Sequence, residues 1–132
     1  MTMAKKILWL DDYRNPNEWI GCVKIVCPVM EKEQCDIVWV KSYNEFVEYI
    51  TNCGLPDAIG FDHDLADEGI NEKTGYDAAK FLVDYCLDNN ADLPEFGSQS
   101  SNPAGRENIL NLLNNFKRYV QRKDCQDDYG IS

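Results

Sequence analysis

The sequence predicts an α/β fold in which a parallel sheet is covered by helices. Three observations support it: apolar runs of strand length alternate with helical patterns, 132 residues fit one domain, and two apolar runs end in acidic pairs. The carboxyl ends of parallel strands share one edge of the sheet, where ligands bind. We therefore expect a functional site built from residues that directly follow strands.

Four segments are predicted as strands from short, continuous apolar runs. They are residues 5–10, 36–41, 58–61 and, more weakly, 95–99. Residues 14–35 are ambiguous, because the apolar stretch at residues 23–26 fits either a short extra strand or part of a broken helix.

Three helices are predicted from capping residues that precede apolar positions at helical spacing. Two of them begin with the spacing of a capping box, Ser42 with Glu45 and Thr74 with Asp77. Gly54 fits the stop of the first helix, and Asn89-Asn90 the stop of the second. Asn102 followed by Pro103 is a favoured start for the third.

The composition is typical of a single domain, expected over residues 1–122, with a polar C-terminal tail at residues 123–132. A net charge of −10 repels the phosphate backbone, so broad nucleic-acid binding is not expected. No apolar run approaches the ~20 residues of a membrane span, and the short run after Lys5-Lys6 does not fit a signal peptide. We therefore expect a cytoplasmic protein without membrane contacts.

The six cysteines are expected to be free thiols with no catalytic role. They are Cys22, Cys27, Cys35, Cys53, Cys86 and Cys125. None forms a Cys-x-x-Cys pair, and a single histidine argues against a zinc site. A chain of this length also builds its core without disulfides.

Four carboxylates follow two predicted strands: Asp11 and Asp12 after the first, Asp62 and Asp64 after the third. Crowded carboxylates repel one another, so either some bind protons or a cation lies among them. Oxygen ligands favour Mg²⁺ first, with Mn²⁺ or Ca²⁺ as alternatives. The competing interpretation is that these acids only cap loops and helix starts.

His63 is the only histidine, and it lies between two of these acids. A histidine titrates near neutral pH, so it is a candidate general acid or base, or else a hydrogen-bonding partner of a neighbouring loop. Strand alternation would place Asp62 and Asp64 on one side and His63 on the other, unless the strand has already ended.

The segment from Ser100 to Arg106 has features of a phosphate site. Hydroxyl groups and the Asn102 amide lead into a helix N-terminus, where free N–H groups favour an anion. Gly105 permits a close approach to the backbone, and Arg106 offers a bidentate contact. The alternative is a well-capped helix with a solvated arginine.

Four motifs, in order over about residues 6–116, resemble the cyclic-phosphate-processing receiver family, which is itself related to two-component receiver domains. They are Leu10-Asp11-Asp12-Tyr13-Arg14-Asn15-Pro16, Phe61-Asp62-His63-Asp64-Leu65, Thr74-Gly75-Tyr76-Asp77 and Gln99-Ser100-Ser101-Asn102-Pro103-Ala104-Gly105. The resemblance implies a receiver-like (flavodoxin-like) three-layer sandwich with a truncated, mainly parallel sheet of four to five strands. The chain lacks the fifth strand ending in lysine that a two-component receiver has, and Gln99 replaces the usual histidine of the cyclic-phosphate-processing family.

The resemblance implies a metal-dependent, phosphoesterase-like domain that processes a cyclic phosphate in a small phosphate-containing ligand or at an RNA terminus. The expected metal ligands, for Mg²⁺ or Mn²⁺, are Asp11, Asp12, Asp62 and Asp64. The expected catalytic residues are His63, Asp62 and Ser100. The expected phosphate-binding residues are Arg14, Ser100, Asn102, Gly105 and Arg106, although Arg14 fits pairing with an acid equally well.

Two other functions are compatible with the sequence. The first is a non-catalytic receiver-like module for binding or signalling, phosphorylated on Asp62 or sequestering a nucleotide. The second is an interaction protein whose acids hold only a structural ion. The glutamine at position 99 favours these alternatives, because glutamine cannot transfer a proton near pH 7.

Overall fold

A four-stranded parallel sheet lies at the centre of the computed structural model, which describes residues 5–16, 35–65 and 73–130. The strands are β1 (Lys5–Leu10), β2 (Cys35–Val40), β3 (Ala58–Phe61) and β4 (Glu95–Ser98). Their order across the sheet is β2-β1-β3-β4, and every neighbouring pair is parallel. The predicted parallel α/β sheet is therefore confirmed, whereas the ambiguous residues 23–26 lie outside the described residues.

Three helices accompany these strands in the described ranges: α1 (Tyr43–Cys53), α2 (Gly75–Asn89) and α3 (Pro103–Gly130). The predicted caps are present. The Ser42 hydroxyl accepts a hydrogen bond from the Glu45 amide at 3.2 Å, and Thr74 and Asp77 form a capping box. Helix α3 continues to Gly130, so most of the segment that we expected to form a polar tail is helical.

The core forms where side chains of the sheet meet the three helices. Leu8, Leu10, Ile59 and Phe61 of the sheet are fully buried. They belong to one cluster with apolar residues from every described helix: Phe46, Ile50, Ala78, Ala79, Leu82, Cys86, Ile109, Leu113 and Phe116. Among the described residues, no helix is both long and apolar enough to cross a bilayer.

The strand register brings the site residues to one edge of the sheet. Leu10 pairs with Val40 on one side and with Phe61 on the other, and Phe61 pairs with Ser98. The next residue of three strands extends this ladder by one hydrogen bond. The donors are the amides of Asp11, to Val40 O (3.0 Å), Asp62, to Leu10 O (2.9 Å), and Gln99, to Phe61 O (3.2 Å). Asp11, Asp62 and Gln99 are therefore neighbours because their strands end in register.

Candidate metal centre

Three carboxylates meet at this edge. Asp11, Asp12 and Asp62 each offer one oxygen, and these oxygens all lie within 4.8 Å of one another. Asp11 is fully buried and Asp62 nearly so, whereas Asp12 is partly exposed. The cluster is therefore mostly buried and is exposed to solvent on the side of Asp12.

Asp11 is held rigidly by its own loop and by the sheet. Its Oδ1 atom accepts hydrogen bonds from the backbone amides of Tyr13 (2.9 Å) and Arg14 (2.8 Å), which is an Asx turn. Its carbonyl oxygen accepts the indole N–H of Trp39 on β2 at 2.6 Å. Because Oδ1 is engaged by the turn, Oδ2 remains for partners across the site.

The environment of Asp62 disfavours its charged form. Burial raises the pKa of this carboxyl to about 6, and the neighbouring charges of Asp11 and, more weakly, Asp12 add to the effect. The Arg14 guanidinium and a hydrogen bond with Ser100 act in the opposite direction and lower the pKa. A divalent cation among these oxygens would relieve the same repulsion, so the donor set fits a hard, oxygen-preferring ion such as Mg²⁺.

Arg14 lies against the acids. Its Nη1 atom is 3.2 Å from Asp11 Oδ2 and 3.7 Å from Asp62 Oδ1, and its side chain is 14% exposed. Of the two alternatives that we kept for this residue, the structure shows the pairing with acids.

Gln99 contacts the cluster from β4. Its Nε2 atom donates to the carbonyl of Leu10 at 3.0 Å and to Asp11 Oδ2 at 3.3 Å. Its Oε1 atom is buried and has no hydrogen-bond partner among the described residues. Gln99 therefore supplies a neutral donor to a buried carboxylate, where the family's usual histidine could also carry charge.

His63 and Asp64 form a second group beside the acid cluster. His63 Nδ1 lies 3.0 Å from Asp64 Oδ1, and the side-chain amide of Asn102 donates from Nδ2 to Asp64 Oδ2 at 3.2 Å. The hydrogen bond from His63, followed by the one from Asn102, lowers the pKa of Asp64 although slight burial opposes it. Asp64 thus lies with His63 and Asn102, outside the group of three acids whose oxygens are within 4.8 Å.

Two glycines allow helix starts to approach this segment. A Cβ atom at Gly75, the first residue of α2, would overlap the carbonyl oxygen of Asp62. A Cβ atom at Gly105, in the first turn of α3, would overlap the ring of His63. The Gly75 amide also donates to the carbonyl of His63 at 2.9 Å. Residues 62–63 are therefore fixed between the N-termini of two helices.

The segment expected to bind phosphate is only partly directed at the cluster. The Ser100 hydroxyl lies close enough to Asp62 to lower the pKa of that carboxyl, and it accepts a hydrogen bond from the backbone N–H of Asn102 at 3.1 Å. The Asn102 side-chain oxygen accepts the Gly105 amide at 3.0 Å, so this N–H is engaged by the helix cap. Arg106 is exposed beside Pro103 and Glu107 on α3. Ser100 and Asn102 thus lie at the site, whereas Gly105 packs on His63 and Arg106 faces solvent.

The sequence reasoning missed several supporting residues. Trp9 donates its indole N–H to the carbonyl of Arg14 at 2.9 Å, and Trp39 does the same to Asp11. Both tryptophans lie near the ends of predicted strands, and a buried indole usually finds an acceptor. That rule was the available signal for their role. The close approach at Gly75 had no such signal, because it depends on how α2 is placed.

The chain is similar to one family model and to solved structures of receiver proteins. Residues 6–115 match the family model described as the cyclic-phosphate processing receiver domain. A LuxR-family two-component response regulator from Aurantimonas sp. SI85-9A1 is similar in structure, with a TM-score of 0.50 and 14% identity over 83% of this chain and 69% of that chain. The signal receiver domain of a Luxo repressor protein from Vibrio parahaemolyticus gives a TM-score of 0.44 and 15% identity over 90% of this chain and 97% of that one. No curated protein matches the chain.

Proposed function

The chain belongs to the cyclic-phosphate processing receiver domain family, and we propose that it is a metal-dependent phosphoesterase that opens a cyclic phosphodiester. The proposed substrate is a small cyclic phosphate or an RNA terminus that carries one. The observation that carries the proposal is the convergence of Asp11, Asp12 and Asp62 within 4.8 Å, beside a histidine that is paired with a carboxylate.

The three acids are the residues that would hold the metal ion. A divalent ion bound there supplies Lewis-acid polarisation of a phosphoryl oxygen and a water molecule of lowered pKa. The Asx turn orients the Asp11 carboxylate and the Trp39 contact holds the Asp11 backbone, so this ligand is fixed in place before a cation binds.

His63 is the proposed proton donor. Hydrolysis adds water to phosphorus and breaks the bond to one ring oxygen, which leaves as an alkoxide and needs a proton. With Nδ1 engaged by Asp64 at 3.0 Å, Nε2 is the nitrogen available to give that proton, and the contact with the Asp64 carboxylate orients the ring. Asp64 therefore fits a positioning role better than a role as a metal ligand.

Ser100 and Asn102 are the proposed contacts to the phosphate. Ser100 lies beside Asp62, where it lowers the pKa of that carboxyl, and the Asn102 side chain donates to Asp64, the partner of His63. A phosphate bound by Ser100 and Asn102 would lie within reach of the acid cluster and of His63.

A binding module without turnover is the second candidate, and Gln99 is the observation that favours it. Its amide is fixed by Leu10 and Asp11 and offers no titratable proton, so acid–base catalysis at that position is absent. Under this alternative Ser100 and Asn102 bind a cyclic phosphate next to a metal ion held by the same acids, without hydrolysing it.

The test is turnover on a substrate panel. Wild-type protein with Mg²⁺ or Mn²⁺ is incubated with 2′,3′-cyclic, 3′,5′-cyclic and terminal phosphates, and ring opening and phosphate release are measured. We expect metal-dependent opening of a cyclic substrate, a loss of roughly 10²–10⁴-fold in His63→Ala, and a gain in Gln99→His. Binding without turnover in all variants would favour the second candidate, and wild-type rates in His63→Ala would remove His63 from the mechanism.

A further inference from the structure

Within the described residues, Arg14 supplies a positive charge to the acid cluster. Its Nη1 atom lies 3.2 Å from Asp11 Oδ2 and 3.7 Å from Asp62 Oδ1, and both carboxylates are buried. Charges that are shielded from water interact more strongly than surface pairs, so this guanidinium offsets part of the repulsion between the two acids.

The position of Arg14 is built into the loop. Its amide donates to Asp11 Oδ1 at 2.8 Å, and its carbonyl oxygen accepts the indole N–H of Trp9 at 2.9 Å. The backbone is thus held on both sides of the Cα atom, and the Arg14 side chain is 14% exposed. An incidental surface ion pair would have neither the fixed backbone nor the buried partners.

A divalent ion would draw on the same two carboxylates. Asp11 and Asp62 provide two of the three oxygens that lie within 4.8 Å of one another, and both contact Arg14. The positive charge of Arg14 repels a divalent ion that approaches these carboxylates, and it competes with that ion for their oxygens. The guanidinium therefore stabilises the site when no metal ion is bound and weakens the binding of one.

We infer that Arg14 is a positioning residue that acts as a resident counter-ion: it keeps Asp11 and Asp62 together without metal and sets the affinity for a divalent ion by competition. This inference rests on the proposed function, since it requires that the cluster binds metal. Arg14 then acts mainly through its contacts with the acids, and the phosphate contact expected from the sequence is secondary.

The experiment compares Arg14→Met, which removes the charge, with Arg14→Lys, which keeps it, and with the control Arg122→Met on the exposed surface of α3. Calorimetry with MgCl₂ and MnCl₂ at neutral pH gives the affinities, and thermal unfolding in EDTA gives the metal-free stability. We expect Arg14→Met to bind Mg²⁺ at least about fivefold more tightly than wild type, with a lower melting temperature in EDTA that returns towards wild type in saturating MgCl₂. Arg14→Lys should lie close to wild type, and Arg122→Met should match it in both assays.

The outcomes separate the two proposals. If wild type binds neither Mg²⁺ nor Mn²⁺, the proposed function fails. If wild type binds metal and Arg14→Met binds no more tightly, only the role of Arg14 is overturned. If Arg14→Met is unfolded in EDTA, the inference requires that MgCl₂ restores its fold, and failure to refold contradicts it.

Discussion

Among single residues, Asp62 has the clearest electrostatic consequence. Its pKa is raised from 3.8 to about 6 by burial and by Asp11. A carboxyl with a raised pKa in the folded state binds its proton more tightly there than in the unfolded chain. Its contribution to stability is therefore fully present below pH 4 and is lost as the pH rises through about 6.

This linkage gives a pH-dependent prediction for Asp62→Asn. In EDTA, raising the pH from about 4.5 to 7.5 should lower the unfolding free energy of wild type relative to the variant by on the order of 2 kcal/mol. Urea unfolding at both values measures the difference, and Asp88→Asn on the exposed surface of α2 is the control. Equal pH dependence in wild type and Asp62→Asn would show that Asp62 ionises normally.

Some residues of the site could be predicted from the sequence, whereas the placement of others could not. The acids of the cluster could be predicted because each follows an apolar strand. The direction of Asp64 could not, because β3 ends at Phe61 and strand alternation no longer applies to residues 62–64. Gly105 was expected to let a ligand approach the backbone closely, whereas the group that lies against it in the structure is the His63 side chain, which depends on how α3 packs.

Among the elements, α2 and α3 position the site through their first turns. Both helices place a glycine against the segment that carries Asp62 and His63. The obstacles to a side chain differ: at Gly75 it is the backbone carbonyl of Asp62, and at Gly105 it is the His63 side chain from its Cβ atom outward. A backbone atom yields less easily than a side chain.

We therefore predict that Gly75→Ala destabilises the protein more than Gly105→Ala. Overpacking of this kind typically costs about 1–3 kcal/mol, and Gly75→Ala should lie at or above the upper end. Chemical denaturation ranks the two variants against Glu107→Ala, an exposed site on α3 that should change little. The reverse order would mean that His63 is held more rigidly than the backbone at Asp62.

The capping residues and the apolar runs were sufficient to predict most of the helices and strands. Residues 5–10 and 58–61 are strands with the predicted bounds, and Ser42, Thr74 and Asn102 precede the three helices as expected. The extent of α3 was not predicted, because its C-terminal half is polar and residues 123–130 lack the apolar spacing that marks a helix.

For the whole molecule, the cysteine prediction concerns every thiol. Cys53 and Cys86 are free in the structure, and burial raises the pKa of Cys86 to about 11, which makes it a poor nucleophile. Thiol counting under denaturing, non-reducing conditions should report all six. A count of two or fewer would contradict the expectation of reduced cysteines throughout the chain.

The central claim is that Asp11, Asp12 and Asp62 bind one divalent cation at the edge of the sheet. Calorimetric titration with MgCl₂ tests it most directly, on wild type, Asp62→Asn and the surface control Asp88→Asn. We predict one Mg²⁺ site in wild type and in Asp88→Asn. In Asp62→Asn we expect the Mg²⁺ affinity to fall by more than about tenfold, because mutating even a residue that only holds a metal ligand in place lowers the affinity by about that factor. Equal Mg²⁺ affinity in Asp62→Asn and wild type would contradict the claim.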